Sequence, residues 1–449
     1  MLVIVALGRW VKLNLDAPAV PVRLAGVEKF HIRGGVPLAG TVTISGAKNA
    51  ALPCLAATLL TAEPVCLEGL PRVRDIVTME RVLATLGESC EHANGTTTIT
   101  VGTIEGAHAP YELVRTMRAS VLVLGPLLAR RRHARVALPG GCAIGARPID
   151  LHLQGLVRMG ATITVQRGDV VAEAPGGLRG ADITFPRITV TGTENLLMAA
   201  TLAKGTTVLR NCAREPEVVD LAELLATMGA RVYGAGSSTI VVDGVGELSG
   251  ARHRIIPDRI EAGTYVVAAL LAGRGVRIQG CRAEHLSAFL ATLAESGARL
   301  HVDGDGIHVP AQDAALRSTS VTTAEYPGFA TDLQAQFLTL MTQAEGVSTI
   351  TEAIFENRFQ HALELKRMGA AIEVCGRLAR VSGPTPLQGT MVMASDLRAS
   401  AALVLAALVA EGETIVDRIY HLDRGYERMD AKLAALGACV KRFNPGPFQ

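Results

Sequence analysis

The sequence predicts an α/β protein of two domains, three repeated units in each, with helices inside and sheets outside. Three observations predict it. One unit recurs six times, several of its helices are apolar on most faces, and 449 residues exceed what one hydrophobic core usually covers.

The first part of each unit is a helix that ends in glycine and runs into polar–apolar alternation. In chain order the instances are VLATLGESCE, LVRMGATITV, LLATMGARVYG, LAESGARLHV, LKRMGAAIEV and LAALGACVKRF. Their glycines, Gly87, Gly160, Gly229, Gly297, Gly369 and Gly437, are spaced by 73, 69, 68, 72 and 68 residues. Glycine at that point predicts a helix C-cap with positive φ, because it has no Cβ to clash there, and the alternation predicts a strand. Between these lies a second helix–turn–strand: AATLLTAEPVCLEG, LGPLLARRRHARVALPG, AATLAKGTTVLRNC, AALLAGRGVRIQGC, LMTQAEGVSTITEAI and LAALVAEGETIVDRI. A unit of about 70 residues is larger than a solenoid repeat, so six of them predict two domains and not an extended array. Residues 265–273 and 399–410 are apolar all round, which marks a buried helix. The pattern breaks at residues 250–258, in GARHRIIPDR, near the midpoint. Chemistry is expected in the cleft between the halves.

Composition narrows the partners. Aromatics make up 4% with a single Trp, so Leu, Val, Ile and Ala must build the core. A net charge of +2 gives no basic stripe for nucleic acid, and the run Arg130–Arg131–Arg132 reads as a solvated turn. The eight cysteines show no CxxC pair or Cys/His ligand spacing and the 11 histidines no ligand cluster, so neither a metal, a cofactor nor a disulfide framework is expected. A reducing cytoplasm fits. Seven of the cysteines are read as packed small hydrophobes. No apolar run reaches the ~18 residues of a membrane span. The apolar start meets Arg9 and Lys12 too early for an export signal.

Four segments combine reactive residues with turns. In ISGAKNAALP a strand meets a Gly turn and a helix opens on Lys48 and Asn49, which reads as an anion site or as a solvated lysine. LPGGCAIGARPIDLH surrounds Cys142 with glycines and prolines and places Arg147 five residues on. Such a loop supplies little core, so Cys142 is read as an acid or nucleophile with a lowered pKa. Asp332, in YPGFATDLQAQF, reads equally as a general base or, with Thr331, as an N-cap. Arg398 and Arg424, in SDLRASAALV and DRGYER, read as clamps for phosphate or carboxylate, or as surface ion pairs with neighbours.

Together with TMRAS, REPEVVDLA, PDRIEAGT, ITEAIFENRF and DRIYHLDRGYER, these motifs closely resemble the UDP-N-acetylglucosamine 1-carboxyvinyltransferases, in family order from about Val27 to the C-terminus. The resemblance implies a two-domain inside-out α/β barrel fold, residues 27–47 with 257–449 forming one domain and 48–256 the other. It implies transfer of the enolpyruvyl group of phosphoenolpyruvate to the 3-hydroxyl of UDP-N-acetylglucosamine, without cofactor, membrane or obligate protein partner. Lys48, Arg147 and Arg424 would hold phosphoenolpyruvate, with Asn49 and Arg398 beside them. Arg118, Pro148, Ile149, Asp150, Leu151, Arg187, Ile188, Thr189, Val190 and Ile354 would line the sugar-nucleotide site. Asp332 would take the hydroxyl proton. Cys142, on a lid loop, would protonate the methylene carbon, form a pyruvate adduct and be the target of fosfomycin.

Three departures stand out. Arg187 replaces a family Lys, which keeps charge but changes geometry. Ala330 replaces a Pro and is expected to loosen the turn before Asp332. Residues 1–26 have no counterpart, and translation is expected to start at Val27. Two rivals remain: the shikimate-pathway enolpyruvyl transferase, which has Lys-Ser at the place of Lys48-Asn49 and no Cys-bearing lid, and a catalytically silent copy that binds the sugar nucleotide.

Overall fold

The computed structural model describes residues 5–6, 9–10, 28–102, 108–115, 117–138 and 149–445. All six predicted glycines cap helices. They follow the helices Arg74–Thr85, Asp150–Arg158, Pro216–Thr227, Ser287–Glu295, Gln360–Arg367 and Met429–Ala435, with φ between +86° and +101°. After the last five, the amide of the next alanine donates back to a carbonyl of the final turn, as from Ala230 to Leu225 at 2.9 Å. That bond satisfies an end carbonyl and aims the chain into the following strand.

Each unit contributes one four-stranded sheet, and among the described residues there are six, all with the same order. A short edge strand runs parallel to the strand leaving a buried helix, and two antiparallel pairings complete the sheet. In one unit His108–Ala109 lies beside His133–Ala137, which pairs with Asp169–Glu173, which pairs with Thr162–Gln166. The segment that interrupts the repeat is itself the edge strand Ala251–Arg254, parallel to Val65–Glu68 far back in the chain. Two strands from near the N-terminus join the C-terminal units, the first as an inner antiparallel strand and the second as a parallel edge strand. Leu38–Thr43 pairs with Gly273–Gln279, and Lys29–Arg33 sits between Glu413–Asp417 and Cys439–Phe443.

The remaining long helices are buried. In Lys48–Ala57 every residue but Asn49 is buried, and in Leu397–Val409 everything from Arg398 to Leu408 is. Their apolar residues fall into two clusters, one drawn from residues 47–256 and the other from 30–44 together with 260–438. Each fully buried Leu or Val contributes roughly 1.5–3 kcal/mol, so these helices supply most of the driving force for folding.

Such helices approach closely only where side chains are small. A Cβ on Gly125, in the helix Leu124–Arg131, would lie 2.2 Å from Asn195 Oδ1 and 2.4 Å from the Asn195 carbonyl oxygen. Asn195 cannot turn away freely, because its Nδ2 donates to the Val121 carbonyl at 2.9 Å. Gly125→Ala is therefore expected to destabilise the protein by about 1–3 kcal/mol, seen as a lower urea midpoint at unchanged m-value. An unaltered midpoint would mean that the two helices separate at no cost.

Two expectations need correction. Arg130 and Arg131 end a helix instead of forming a turn, and Arg130 donates to the Leu59 carbonyl at 3.0 Å. Cys375 and Cys439 are exposed on strands, so packing does not account for them.

Candidate active site

Lys48 opens the helix Lys48–Ala57 and is 9% exposed, which removes the reading of a solvated charge. Its Nζ lies 3.3 Å from Asp75 Oδ2. Arg424, at the end of the short helix Ile419–Arg424, donates its Nε to the other oxygen of Asp75 at 2.9 Å. The Asp75 carboxylate thus bridges two cations that are 376 positions apart in sequence and come from different halves. Burial pushes the Lys48 ammonium below its usual pKa. Asp75 opposes that shift, Arg398 and Arg424 add to it, and Asp332 opposes it.

Asp332 is held from the other side. The short helix Thr331–Leu333 has no side-chain cap, which excludes the N-cap reading. Instead Asp332 Oδ1 accepts from Arg358 at 2.6 Å and Oδ2 from Arg398 at 3.3 Å. Burial raises the carboxyl's pKa, but Arg398, Arg358 and Lys48 together outweigh it and hold the group well below the ordinary carboxylate range. Arg398 is no surface pair either. Its neighbour Asp396 caps the helix Leu397–Val409, and the buried Arg398 guanidinium lies over the Tyr426 ring at 5.6 Å. Tyr426 is fixed in turn by Thr264 and Gln336, at 2.9 and 3.2 Å from its hydroxyl. The fully buried Glu352 accepts from Thr331 at 2.8 Å and from the Ile354 amide at 2.9 Å, tying the Asp332 and Ile354 turns together.

A second group forms around the buried His152. Arg118 begins the short helix Arg118–Val123, packs near His152 and lowers its pKa after burial has done so. Thr191 and Asn195 hydrogen-bond the two ring nitrogens of His152 at 3.2 and 3.1 Å. Asp150 starts the helix Asp150–Arg158 with Ile149 as its cap, and Leu151 follows it into the core. Arg187 reaches Asp150 at 3.4 Å across an exposed gap, so the family Lys position still meets an acid. Thr189 caps the helix Val190–Thr201 through its side chain, with Ile188 and Val190 half-buried on either side. The helix carrying Lys48 packs on Arg118–Val123, so the two groups adjoin.

Cys142, Arg147 and Pro148 lie outside the described residues. Two further members of the site carried no sequence signal of their role. Asp75 sits in the unremarkable stretch RVRDIV, and Arg358 lies in ENRF without an assigned function. Lys48, Arg358, Arg398 and Arg424 outnumber their paired carboxylates Asp75 and Asp332, and the buried Asp258 also acts on Arg398, leaving the largely buried cluster with more cations than carboxylates. Such a cluster suits a small dianion and would stabilise charge developing on it.

The family model for EPSP synthase (3-phosphoshikimate 1-carboxyvinyltransferase) matches residues 32–433. The chain is 58% identical to a UDP-N-acetylglucosamine 1-carboxyvinyltransferase of Koribacter versatilis, over 93% of this chain and 96% of that one. It is equally close, at 58% over 93% of this chain and the whole of the relative, to the protein of that name from Solibacter usitatus. Among solved structures, the enolpyruvyl transferase NikO from Streptomyces tendae superposes with a TM-score of 0.85 at 29% identity, covering 93% of this chain and 99% of that one. An EPSP synthase from Acinetobacter baumannii shares the fold, with a TM-score of 0.72 at 19% identity over 93% of this chain and 100% of that one.

Proposed function

We infer the function from one premise: the chain belongs to the EPSP synthase (3-phosphoshikimate 1-carboxyvinyltransferase) family and, within it, to the UDP-N-acetylglucosamine 1-carboxyvinyltransferases. It is a transferase that moves the enolpyruvyl group of phosphoenolpyruvate to UDP-N-acetylglucosamine, the first committed step of peptidoglycan synthesis. The observation that carries this is 58% identity along 93% of the chain to proteins of that name. Among the described residues no helix is long and apolar enough to cross a membrane. Each half is read as an inside-out α/β barrel, with 48–256 in one and 27–47 plus 257–449 in the other, and the two apolar clusters support that division.

The convergence of Lys48, Arg398 and Arg424 supports their role as the seat for phosphoenolpyruvate, with Asn49 at the same helix start, and Arg147 is assigned to the same anion. The group around Arg118, Asp150, Arg187 and Thr189, together with Ile354, receives the sugar nucleotide. Asp332 takes the proton of the 3-hydroxyl as that oxygen bonds to the vinyl carbon, while the Cys142 thiol gives a proton to the methylene carbon. The product of this addition is a tetrahedral phosphoketal. Loss of phosphate, with removal of a methyl proton, leaves the enol ether. Oriented acid and base contribute typically ~10²–10⁴-fold each, and positioning on the cation cluster supplies the rest.

The test is phosphate release from phosphoenolpyruvate with either UDP-N-acetylglucosamine or shikimate 3-phosphate as acceptor. Release with the sugar nucleotide alone is expected. Release with shikimate 3-phosphate alone would establish the rival transferase, and binding of the sugar nucleotide without turnover the silent copy. Fosfomycin is expected to stop the reaction by alkylating Cys142, read by peptide mass mapping. Full inhibition surviving in Cys142→Ser would overturn that assignment.

A further inference from the structure

Behind the Lys48 site, three potential metal ligands from distant parts of the chain meet in the core. Cys54 lies on the helix Lys48–Ala57, Asp220 on Pro216–Thr227 and His253 on the strand Ala251–Arg254, and their ligand atoms all lie within 4.8 Å of one another. Cys54 Sγ is 3.8 Å from Asp220 Oδ2, and His253 Nε2 is 2.9 Å from Asp220 Oδ1. We propose that this cluster is a binding site for one divalent transition-metal ion of the zinc type.

The donor set is the first support. Thiolate, imidazole and carboxylate together suit zinc, whose bonds of about 2.0–2.3 Å place tetrahedral ligands roughly 3.3–3.8 Å apart. Two of the separations, 2.9 and 3.8 Å, lie near that range and the third is within 4.8 Å, so the ligands converge on one point once the side chains adjust. It replaces the protons that the three groups now share. Bonds form from Sγ, Nε2 and one carboxylate oxygen to the metal, the thiol proton leaves to solvent, and water completes the coordination.

Charge is the second support. The Asp220 side chain is fully buried, and its hydrogen-bond partners here, Cys54 and His253, include no fixed cation. Glu194, 2% exposed and with no partner for its Oε1, lies close enough to act on the Cys54 thiol, and burial raises its own carboxyl well above the usual range. A buried carboxylate such as Asp220, with only a thiol and an imidazole beside it, is costly to charge, and a divalent ion offsets that cost. Burial itself keeps the thiol protonated, raising its pKa well above the usual value.

The ion would staple the helix that begins at Lys48 to the strand that leads into Arg259. The Arg259 guanidinium bonds Glu217, on the same helix as Asp220, at 2.9 Å. A metal that binds only the folded state stabilises it by mass action.

The experiment is anaerobic titration of the metal-free full-length protein with Co²⁺, then displacement by Zn²⁺. A thiolate-to-cobalt charge-transfer band is expected to saturate at one equivalent per chain and to vanish in Cys54→Val. Zn²⁺ is expected to raise the melting temperature of the parent protein but not of the variant. Absence of the band, or a band undiminished in Cys54→Val, overturns the proposal, and the latter would place the thiolate elsewhere, including at Cys142. Where Cys54→Val fails to fold by circular dichroism, His253→Gln, altered at the rim of the cluster, decides by the same readings.

Discussion

Asp332→Asn is expected to bind both substrates and to turn over ~10²–10⁴-fold more slowly. The amide keeps the size of the carboxylate but cannot take a proton, and it forfeits the charge that Arg358 and Arg398 now hold at 2.6 and 3.3 Å. A carboxylate held far below its ordinary range is a weak base in the free protein, yet the same cations explain how it works. Lys48 and Arg398 depress Asp332, and both belong to the cluster assigned to phosphoenolpyruvate. A dianion brought among them offsets their field, so Asp332 becomes more basic once substrate is in place. Pre-steady-state phosphate release measures the effect on chemistry, and equilibrium titration measures binding. A rate within about threefold of the parent would remove Asp332 as the base, because a positioned base is worth far more than that.

The fold was legible because its punctuation is local. A glycine after a helix, followed by alternation, needs only a window of ten residues, and Gly87, Gly160, Gly229, Gly297, Gly369 and Gly437 all take the positive φ that the pattern predicts. The closure of the halves was less legible. Nothing in GARHRIIPDR says that Ala251–Arg254 pairs with Val65–Glu68, since a parallel edge strand is chosen by its neighbour and not by its own composition. The site divides along the same line. Lys48, Asp332, Arg398 and Arg424 sit in motifs with turn chemistry around them and could be picked out, whereas local sequence left their bland readings open. Asp75 gains meaning only from Arg424, which it touches across the interface between the halves, and Arg358 only from Asp332, 26 residues back in its own half. Cys54, Asp220 and His253 are the extreme case: spacings of 166 and 33 residues match no ligand motif, so the sequence read as free of metal sites.

Lys48→Met is expected to lower kcat/KM for phosphoenolpyruvate by roughly 30-fold to several thousand-fold, the equivalent of about 2–5 kcal/mol for removing one partner of a buried, hydrogen-bonded charge pair. Met matches the length of the lysine stem without its charge, so the loss is electrostatic. Lys48→Arg tests this, since it restores the charge but forces a planar fork into a site shaped for a compact ammonium, and only partial recovery is expected. Affinity for the sugar nucleotide serves as the internal control, because its proposed contacts lie around His152 and Ile354. Asp75 makes the argument sharper. Its carboxylate is shared between Lys48 at 3.3 Å and Arg424 at 2.9 Å, so once Lys48 is gone Asp75 neutralises Arg424 alone. The single Lys48→Met change then costs more than a lost contact, and adding Asp75→Asn should recover part of the activity by freeing Arg424 for the substrate. Strictly additive losses in that double-mutant cycle would mean that the three groups do not act as one anion seat.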